Sequence, residues 1–297
     1  MTWRVWLAFG SLGVIWGLPY FFIRLAVEEV SPFVVAWGRI TLAALVLLPI
    51  AWRRGALRSI GAHIGPVCAF AVSEFIFPFS AISIGEQWIS SSVAGILISG
   101  VPLMVVLISP LFGVREPLRP GRLIGLAIGL LGVVSLLGLG AISGPFGWAG
   151  AACLLIATIG YAIGPLIIQR YLREIDSLGP IAASLGISSV VLLLPAAATF
   201  PHRLPSAIAL TSIAVLGFLC TAVAMFLMFY VVSHAGASRA SIVTYVNPAV
   251  ATLLGVGFLH ERLGVGGMVG FGLILLGSWL AARGAAPEQM LQPDVTA

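Results

Sequence analysis

Two residues in the stretch FAVSEFIFPFSA, residues 70–81, are unusual for a segment this apolar. Glu74 carries a charge, and Pro78 lacks the backbone N–H that the interior of a helix needs. In a membrane helix, polar residues of this kind are costly and by default mark a pathway or a binding site. The carboxylate of Glu74 would bind an amine or take up a proton. The alternative is that Glu74 pairs with an arginine or a hydroxyl and joins two helices.

Two further apolar segments place polar side chains just ahead of a proline. The first, SSSVAGILISGVPLMVVL, has Ser99 ahead of Pro102. The second, SIVTYVNPAVATLLG, ends its polar run at Pro248 and contains Thr244, Tyr245 and Asn247. Each proline frees a backbone carbonyl, which a membrane tolerates where protein or cavity water satisfies it. We predict substrate-binding sites here, with Pro78, Pro102 and Pro248 as kinks or gates. The alternative is a gentle kink whose hydroxyls bond back to their own helix.

Interior aromatic residues supply a second kind of contact. Trp16 and Tyr20 are four residues apart and share a helix face, and Phe79 and Tyr161 are also interior. A cavity walled by Trp and Tyr with a few polar groups suits a ligand with an apolar or aromatic side chain. The simpler interpretation is that these rings pack against other helices or lipid.

Composition identifies the solvent in which these segments fold. Of the 297 residues, 60% are hydrophobic and 8% are charged, with a mean hydropathy of +1.13. A soluble domain carries about 25% charged residues, and ~20 apolar residues cross a bilayer as a helix. The sequence therefore predicts an all-α integral membrane protein in contact with lipid.

Loop signals (Pro, Gly, Arg and acidic residues) divide the chain into ten predicted transmembrane helices. Their approximate spans are 4–26, 32–52, 63–84, 88–112, 121–140, 148–170, 179–200, 207–233, 239–258 and 266–283. The small, polar segment 284–297 is predicted to be a disordered cytoplasmic tail.

The arginines predict the orientation of these helices. All fifteen basic residues are Arg, and most lie at the termini or after helices 2, 4, 6 and 8. That group contains Arg4, Arg53, Arg54, Arg58, Arg115, Arg119, Arg122, Arg170, Arg173, Arg239 and Arg283. The positive-inside rule then places both termini in the cytoplasm of a bacterial cell, with a multi-pass chain in the inner membrane. Because the net charge of +5 is scattered through short connectors, it predicts no nucleic-acid partner.

The two halves of the chain resemble each other. At an offset of 146 residues the following pairs coincide: Pro19 and Pro165, Arg24 and Arg170, Pro49 and Pro195, Ser92 and Ser238, and Pro102 and Pro248. With five helices per half, the second copy enters the membrane from the opposite face, as in many secondary transporters. We therefore predict two inverted five-helix repeats around a central cavity, the first covering residues 1–145 and the second residues 146–283.

Structural roles are predicted for three residues of these helices. Gly125 and Gly270 belong to GxxxG ladders, which allow the close approach of two helix backbones. Arg39 lies a little inside the second helix.

Several classes of function lack a signal in the sequence. A chain without lysine has no GxxxxGK[ST] phosphate loop, which excludes primary active transport by this chain alone. No cluster of His, Cys and Asp with metal spacing and no nucleophile with a placed base occurs, so we expect no cofactor, no metal and no enzymatic activity.

The chain resembles the ten-helix members of the drug/metabolite transporter superfamily, in the EamA group of paired five-helix repeats. The matching motifs are Trp16-Gly17, Arg24, Pro32, Arg39, Pro102-Leu103, Glu116, Gly125 and Gly132, then Asn247-Pro248, Glu261-Arg262-Leu263, Gly270 and Gly277. The likeness is closest to the YddG-type exporters of aromatic amino acids. It implies that helices 3, 4, 8 and 9 line the cavity. The sequence departs from the family pattern at Arg24, where a lysine is common.

Together, these observations predict a secondary transporter that exports aromatic and other bulky neutral amino acids by alternating access, with possible proton coupling at Glu74. In this interpretation Trp16, Tyr20, Phe79, Tyr161 and Tyr245 contact the side chain of the substrate. Polar groups of helices 4 and 9 hold its charged ends. The alternatives are an exporter of drugs or other metabolites with the same fold, and, less favoured, a channel or a membrane-embedded enzyme.

Overall fold

A computed structural model describes residues 2–113, 120–138, 144–235, 243 and 246–283. Within these ranges the regular secondary structure is entirely helical. Two predicted site residues, Thr244 and Tyr245, lie outside the described residues, as do Glu116 and the predicted tail 284–297.

Each of the ten predicted spans coincides with a helical segment. We number them α1 (Trp3–Val27), α2 (Pro32–Arg53), α3 (Gly61–Gly85), α4 (Ser91–Phe112), α5 (Pro120–Gly138), α6 (Gly147–Leu172), α7 (Leu178–Ala198), α8 (beginning as Ala207–Ala214 and ending as Ala224–Ala235), α9 (Asn247–Phe258) and α10 (Val265–Arg283). By length and composition, seven of these segments are long and apolar enough to cross a membrane. The other three contain shorter apolar helices at Leu123–Leu136, Asn247–Phe258 and Val265–Leu280.

Serine residues cap the start of three helices. Ser31, Ser90 and Ser206 precede α2, α4 and α8, and each hydroxyl accepts the N–H of the residue three positions later, at 3.3, 3.3 and 3.2 Å. A capping hydroxyl satisfies one of the donors that the first helical turn leaves free. The starts of these helices are therefore fixed by local sequence.

The helical ladder widens into a π-helix at equivalent places in the two halves. Two π segments, Ala71–Ile76 in α3 and Val215–Val223 in α8, overlap at the offset of 146, and a third, Ile168–Leu172 at the end of α6, has an α-helical counterpart in α1. In α3 the following Pro78 has no N–H, and Phe77 donates to the carbonyl of Val72, five residues earlier. Since α8 has no proline at the matching position, its widening does not depend on one.

Helices α5 and α10 pack through their glycines. A Cβ on Gly277 would lie 2.6 Å from the carbonyl oxygen of Gly125, and one on Gly270 would lie 2.8 Å from that of Gly132. Early residues of α5 thus meet late residues of α10, so the two helices are antiparallel. In this part of the chain the offset between the halves is 145 residues, so Gly125 matches Gly270 and Gly132 matches Gly277. The two contacts are therefore each other's equivalents, which is the pattern of a two-fold axis between inverted repeats.

The remaining packing follows the same relation. Helix α1 packs on α8 and α9, and its equivalent α6 packs on α3 and α4. Helix α2 packs on its own equivalent, α7. The apolar core at that contact includes Ile40, Leu47 and Leu185, which are fully buried.

Candidate functional site

Arg39 lies at the centre of the bundle and is 6% exposed. Its guanidinium carbon is 3.8 Å from the ring centroid of Phe79, and its Nε donates to Thr221 Oγ1 at 2.9 Å. Thr221 belongs to the π segment of α8, and its hydroxyl also donates to the carbonyl of Leu216 at 2.9 Å. Among the described residues, no carboxylate oxygen lies within the 4.0 Å of an ion pair with Arg39. The arginine therefore joins α2, α3 and α8 while its charge has no acidic partner in the described residues.

Three more polar side chains lie within electrostatic range of Arg39. It interacts electrostatically with Tyr20, Tyr161 and Glu86. The ring of Tyr161 meets that of Phe79 edge to face, with centroids 6.5 Å apart. We call Arg39, Tyr20, Phe79, Tyr161 and Glu86 the central polar cluster. It combines one cation, one carboxylate and three aromatic rings in a buried position, which is a composition suited to a small amphipathic molecule.

Glu86 is the member of the cluster that the sequence analysis missed. It directly follows α3, its side chain is fully buried, and neither carboxylate oxygen has a hydrogen-bond partner among the described residues. Its backbone carbonyl accepts a hydrogen bond from Arg24 Nη1 at 2.6 Å. In the sequence, an acidic residue in SIGEQW at the end of an apolar stretch is typical of a membrane surface. Hydropathy gave no signal of its burial.

Glu74 and Pro78 face α6. The Glu74 carboxylate lies where a Cβ on Gly164 would be, and the ring of Pro78 would be 2.8 Å from a Cβ on Gly160. Glu74 Oε2 is buried without a hydrogen-bond partner in the described part of the chain, and the carboxylate interacts electrostatically with Tyr161. The segment FAVSEFIFPFSA thus packs its two unusual residues on a glycine-lined face of α6, next to the central polar cluster.

Side chains of other helices contact backbone carbonyls near the break in α4. Ser99 donates to a carbonyl of its own turn at 2.6 Å, which is the back-bonding that the sequence left as an alternative. Thr158 of α6 lies 3.4 Å from the carbonyl oxygen of Leu97, and Ser278 of α10 lies 3.4 Å from that of Ser99. Pro102 then begins the second half of α4. Hydroxyls of α6 and α10 therefore contact backbone carbonyls just ahead of Pro102.

Asn247 connects α9 to α1. In the amide orientation that satisfies its donors, its side-chain nitrogen donates to the carbonyl oxygens of Gly13 at 3.2 Å and Val243 at 3.0 Å. Pro248 follows in the first turn of α9. This contact places the amide of Asn247 between two helices.

Trp16 belongs to a separate apolar cluster. It packs against the buried Leu12, Val231 and Val243, whereas Tyr20 lies in the core with Leu97. Of the predicted substrate contacts, the structure therefore brings Tyr20, Phe79 and Tyr161 together and places Glu74 beside them. It places Trp16, Ser99 and Asn247 elsewhere in the bundle.

Two carboxylates in connectors form hydrogen bonds with the starts of helices in the other half of the chain. Glu261 Oε1 accepts the N–H of Ser91 at 2.7 Å and its hydroxyl at 2.9 Å, and Oε2 accepts the N–H of Ser92 at 2.9 Å and its hydroxyl. Glu29 accepts the N–H of Ser206 at 2.7 Å and its hydroxyl. Hydrogen bonds from the side chain and then the backbone of Ser206 lower the pKa of Glu29. We call these two contacts the carboxylate caps, and each joins a connector of one half to a helix start of the other.

An open pocket lies at the opposite end of α4. It has a volume of about 440 Å³ and is lined by Phe112, Gln169, Arg170, Tyr171 and Arg173. Arg170 Nη1 donates to the carbonyl of Phe112 at 2.9 Å, which links the ends of α4 and α6. The Glu261 contact therefore lies at the start of α4 and the arginine-lined pocket at its end.

The described residues contain no group of three His, Cys, Asp or Glu side chains that would hold a metal ion. The side chains of the site can recognise a small molecule through charge, hydrogen bonds and aromatic contacts.

Comparison with known proteins identifies relatives along nearly the whole chain. The model of the EamA-like transporter family matches twice, at residues 3–138 and 148–283. The inner membrane transporter YedA of Escherichia coli K12 is 30% identical over 285 residues, covering 92% of this chain and 89% of the relative. A transporter of Archaeoglobus fulgidus is 28% identical over 302 residues, covering 94% of this chain and 99% of the relative.

The fold also has a counterpart among solved structures. One crystal structure superimposes with a TM-score of 0.66 at 20% sequence identity, covering 95% of this chain and 97% of that chain. With the double family match, this likeness confirms the predicted fold class of ten helices in two repeats.

Proposed function

Because the chain belongs to the EamA-like transporter family, we propose that it is a secondary transporter that exports aromatic and other bulky neutral amino acids by alternating access. The observation that carries the proposal is the central polar cluster. Arg39 is buried among aromatic rings without an acidic partner in the described residues. A buried charge is costly unless it is paired, and the carboxylate of an amino acid would pair it while the rings contact the side chain.

The different residues at the two ends of the bundle support a direction of transport out of the cell. The carboxylate caps close the end that carries the connectors from α1 to α2, α3 to α4 and α9 to α10. The arginine-rich connectors lie at the other end, and the positive-inside rule assigns that end to the cytoplasm. On this proposal the protein is closed towards the periplasm of a bacterial inner membrane, and export would require the caps to open. YedA, a relative named as an inner membrane transporter, supports this location.

Glu74 is the proposed site of proton coupling. Its carboxylate lies beside Tyr161 with one oxygen buried and unbonded in the described part of the chain. We expect Glu74→Gln to remove the response of transport to a pH gradient while the purified protein stays folded. Transport by Glu74→Gln with an unchanged response to the gradient would remove Glu74 from the coupling mechanism.

The direct test is counterflow in proteoliposomes. Vesicles containing the purified protein are loaded with unlabelled tryptophan and given labelled tryptophan outside, and empty vesicles serve as the control. We expect transient, saturable accumulation of label that phenylalanine, tyrosine and leucine reduce. Accumulation that only drugs or other metabolites reduce would favour an exporter of the same fold with another substrate. Flux that never saturates would indicate a channel.

A further inference from the structure

We propose that the arginine-lined pocket at the end of α4 binds the phosphate of an anionic phospholipid headgroup. The pocket has a volume of about 440 Å³ and is formed by Phe112, Gln169, Arg170, Tyr171 and Arg173. This volume lies within the range of small-molecule sites in proteins. The site is separate from the central polar cluster, and the inference does not depend on which substrate is transported.

The guanidinium of Arg170 is held in place along one edge. Its Nη1 donates to the carbonyl oxygen of Phe112 at 2.9 Å, and its central carbon lies 5.5 Å from the ring centroid of Tyr171. Gly113, the next residue, has a φ of +74°, and a Cβ there would lie 2.8 Å from the same Nη1. The Nε and Nη2 atoms of Arg170 have no acceptor among the described residues. These two nitrogens form a fork of the kind that binds two oxygens of a phosphate.

Arg173 brings a second cation to the pocket. Its Nη2 lies 3.9 Å from Glu174 Oε1, and the two side chains are 70% and 84% exposed. An exposed pair at this distance contributes little, so the charge of Arg173 can still attract an anion. Gln169 and Tyr171 add an amide and a hydroxyl, which can donate to phosphate oxygens. The five lining residues thus include two cations and no carboxylate.

The equivalent arginine of the first half is paired. At the offset of 146, Arg170 and Glu174 correspond to Arg24 and Glu28. Arg24 Nε lies 3.8 Å from Glu28 Oε1, one helical turn later. Arg170 instead lies in the π segment Ile168–Leu172, and no described carboxylate oxygen is within 4.0 Å of its nitrogens. Since π segments occur often at functional sites, this difference between the halves indicates that Arg170 is presented to an external anion.

The position of the pocket favours a lipid over a soluble phosphate compound. It lies where α4 and α6 end, on the arginine-rich side that the positive-inside rule assigns to the cytoplasm. Leu111, next to Phe112 in the chain, is 84% exposed, and Leu107, one turn earlier, is 46% exposed. These apolar side chains offer a surface for acyl chains beside the cations that would hold the headgroup. Basic pockets between membrane helices on the cytoplasmic side are typical sites for anionic headgroups.

Native mass spectrometry of the purified protein in detergent tests the ligand. The protein is titrated with phosphatidylglycerol and with phosphatidylcholine, which has the same phosphate but no net charge. We expect phosphatidylglycerol to bind about 30-fold more tightly, because each arginine near a lipid surface contributes about a factor of five. Equal binding of the two lipids would overturn the inference.

A third arm of the titration separates a lipid from a soluble ligand. Glycerol 3-phosphate carries the same phosphate without acyl chains, and we expect it to leave phosphatidylglycerol bound when both are present at equal concentration. Displacement of the lipid by glycerol 3-phosphate would show that the pocket is a site for soluble phosphate compounds, and the assignment to a lipid would be wrong.

Arginine variants then assign the site. We expect Arg170→Gln combined with Arg173→Gln to bind the two lipids within about twofold of each other. The matched control is Arg53→Gln combined with Arg54→Gln, which removes two exposed arginines at the end of α2 and should keep the preference. Equal loss in both double variants would indicate general attraction to the surface and would overturn the inference. Should Arg170→Gln fail to fold without its bond to Phe112, Arg173→Gln alone is expected to weaken phosphatidylglycerol about fivefold, and unchanged binding would contradict the proposal.

Discussion

The position of the Arg39 side chain depends on one hydroxyl and one aromatic ring. Its Nε bonds to Thr221, which is itself held by the wide turn of the π segment in α8. The guanidinium also lies on the ring of Phe79, a cation–π contact that orients its plane. Because the charge has no acidic partner in the described residues, these two contacts determine where it is presented to a ligand.

Thr221→Val tests this arrangement. The substitution keeps the shape of the side chain and leaves the Arg39 Nε without its acceptor. We expect the free energy of unfolding in detergent to fall by about 1–3 kcal/mol, and the binding of phenylalanine to weaken. Thr221→Ser keeps the hydroxyl and is expected to behave as the unaltered protein does. Unchanged stability and binding in Thr221→Val would show that the hydroxyl does not position Arg39.

Glu29 predicts a pH dependence at the closed end. Its hydrogen bonds to Ser206 lower its pKa below the ordinary value of about 4.3 for glutamate. A group with a lowered folded pKa stabilises the protein above its unfolded pKa, and that contribution is lost as the pH falls through the folded value. We expect the unaltered protein to melt at a higher temperature than Glu29→Gln above pH 5. The difference should shrink as the pH falls below about 4.

Melting curves of both proteins between pH 3 and 8 measure this difference. Because Glu29 lies at the surface, the effect should be small and should decrease with salt. A difference that grew as the pH fell would contradict the assignment.

At the scale of helices, the glycines of α5 and α10 set how closely the two halves meet. A Cβ on Gly277 would collide with the backbone of α5, at 2.6 Å from the Gly125 carbonyl oxygen, whereas one on Gly272 of the same helix would meet nothing within 4 Å. We expect Gly277→Ala to destabilise the protein by about 1–3 kcal/mol, because well-packed regions tolerate extra volume poorly. Gly272→Ala should be neutral or stabilising, since alanine favours helix. Equal melting temperatures for the two variants would show that the contact is loose.

The carboxylate cap at Glu261 joins the connector before α10 to the start of α4. One side chain satisfies the backbone donors of both Ser91 and Ser92 at the start of α4. We expect Glu261→Gln, which loses the charge and one acceptor oxygen, to increase amide hydrogen exchange across the first turn of α4. The first turn of α2, which is capped by Ser31, serves as an internal control and should be unaffected. Unchanged exchange at α4 would mean that the cap does not hold this end closed.

The sequence predicts the elements much better than the site. Hydropathy and loop signals place a helix in each of the ten predicted spans, because a bilayer requires long apolar spans, although the described helix α9 begins at Asn247 and the predicted span at residue 239. The GxxxG glycines also mark α5 and α10 as closely packed helices, and the structure shows that they pack against each other. The burial of Glu86 and the role of Thr221 depend on which helices surround them, and one-dimensional patterns carry no such information. Ser99 and Asn247 are polar residues near prolines, but their partners are backbone carbonyls, of its own turn for Ser99 and of α1 and the preceding segment for Asn247.

At the scale of the whole molecule, the two repeats share a fold and differ in chemistry. Their helices pack in equivalent pairs, and both carry a π segment in the third helix. The charged members of the central polar cluster nevertheless all come from the first half. In the proposed alternating-access mechanism, the symmetric backbone would permit two states that open to opposite sides, while the charged groups would stay on the first half in both.

Central to this account is that the Arg39 region is reached from each face of the membrane in turn. Cys220, which is 1% exposed and interacts electrostatically with Arg39, provides a native probe once Cys68 and Cys153 are changed to Ser. The measurement is the rate at which a membrane-impermeant thiol reagent modifies Cys220 in proteoliposomes of each orientation, with and without phenylalanine. We predict modification from both faces, slowed by phenylalanine in both cases. Modification from one face only, in protein that still catalyses counterflow, would contradict the account.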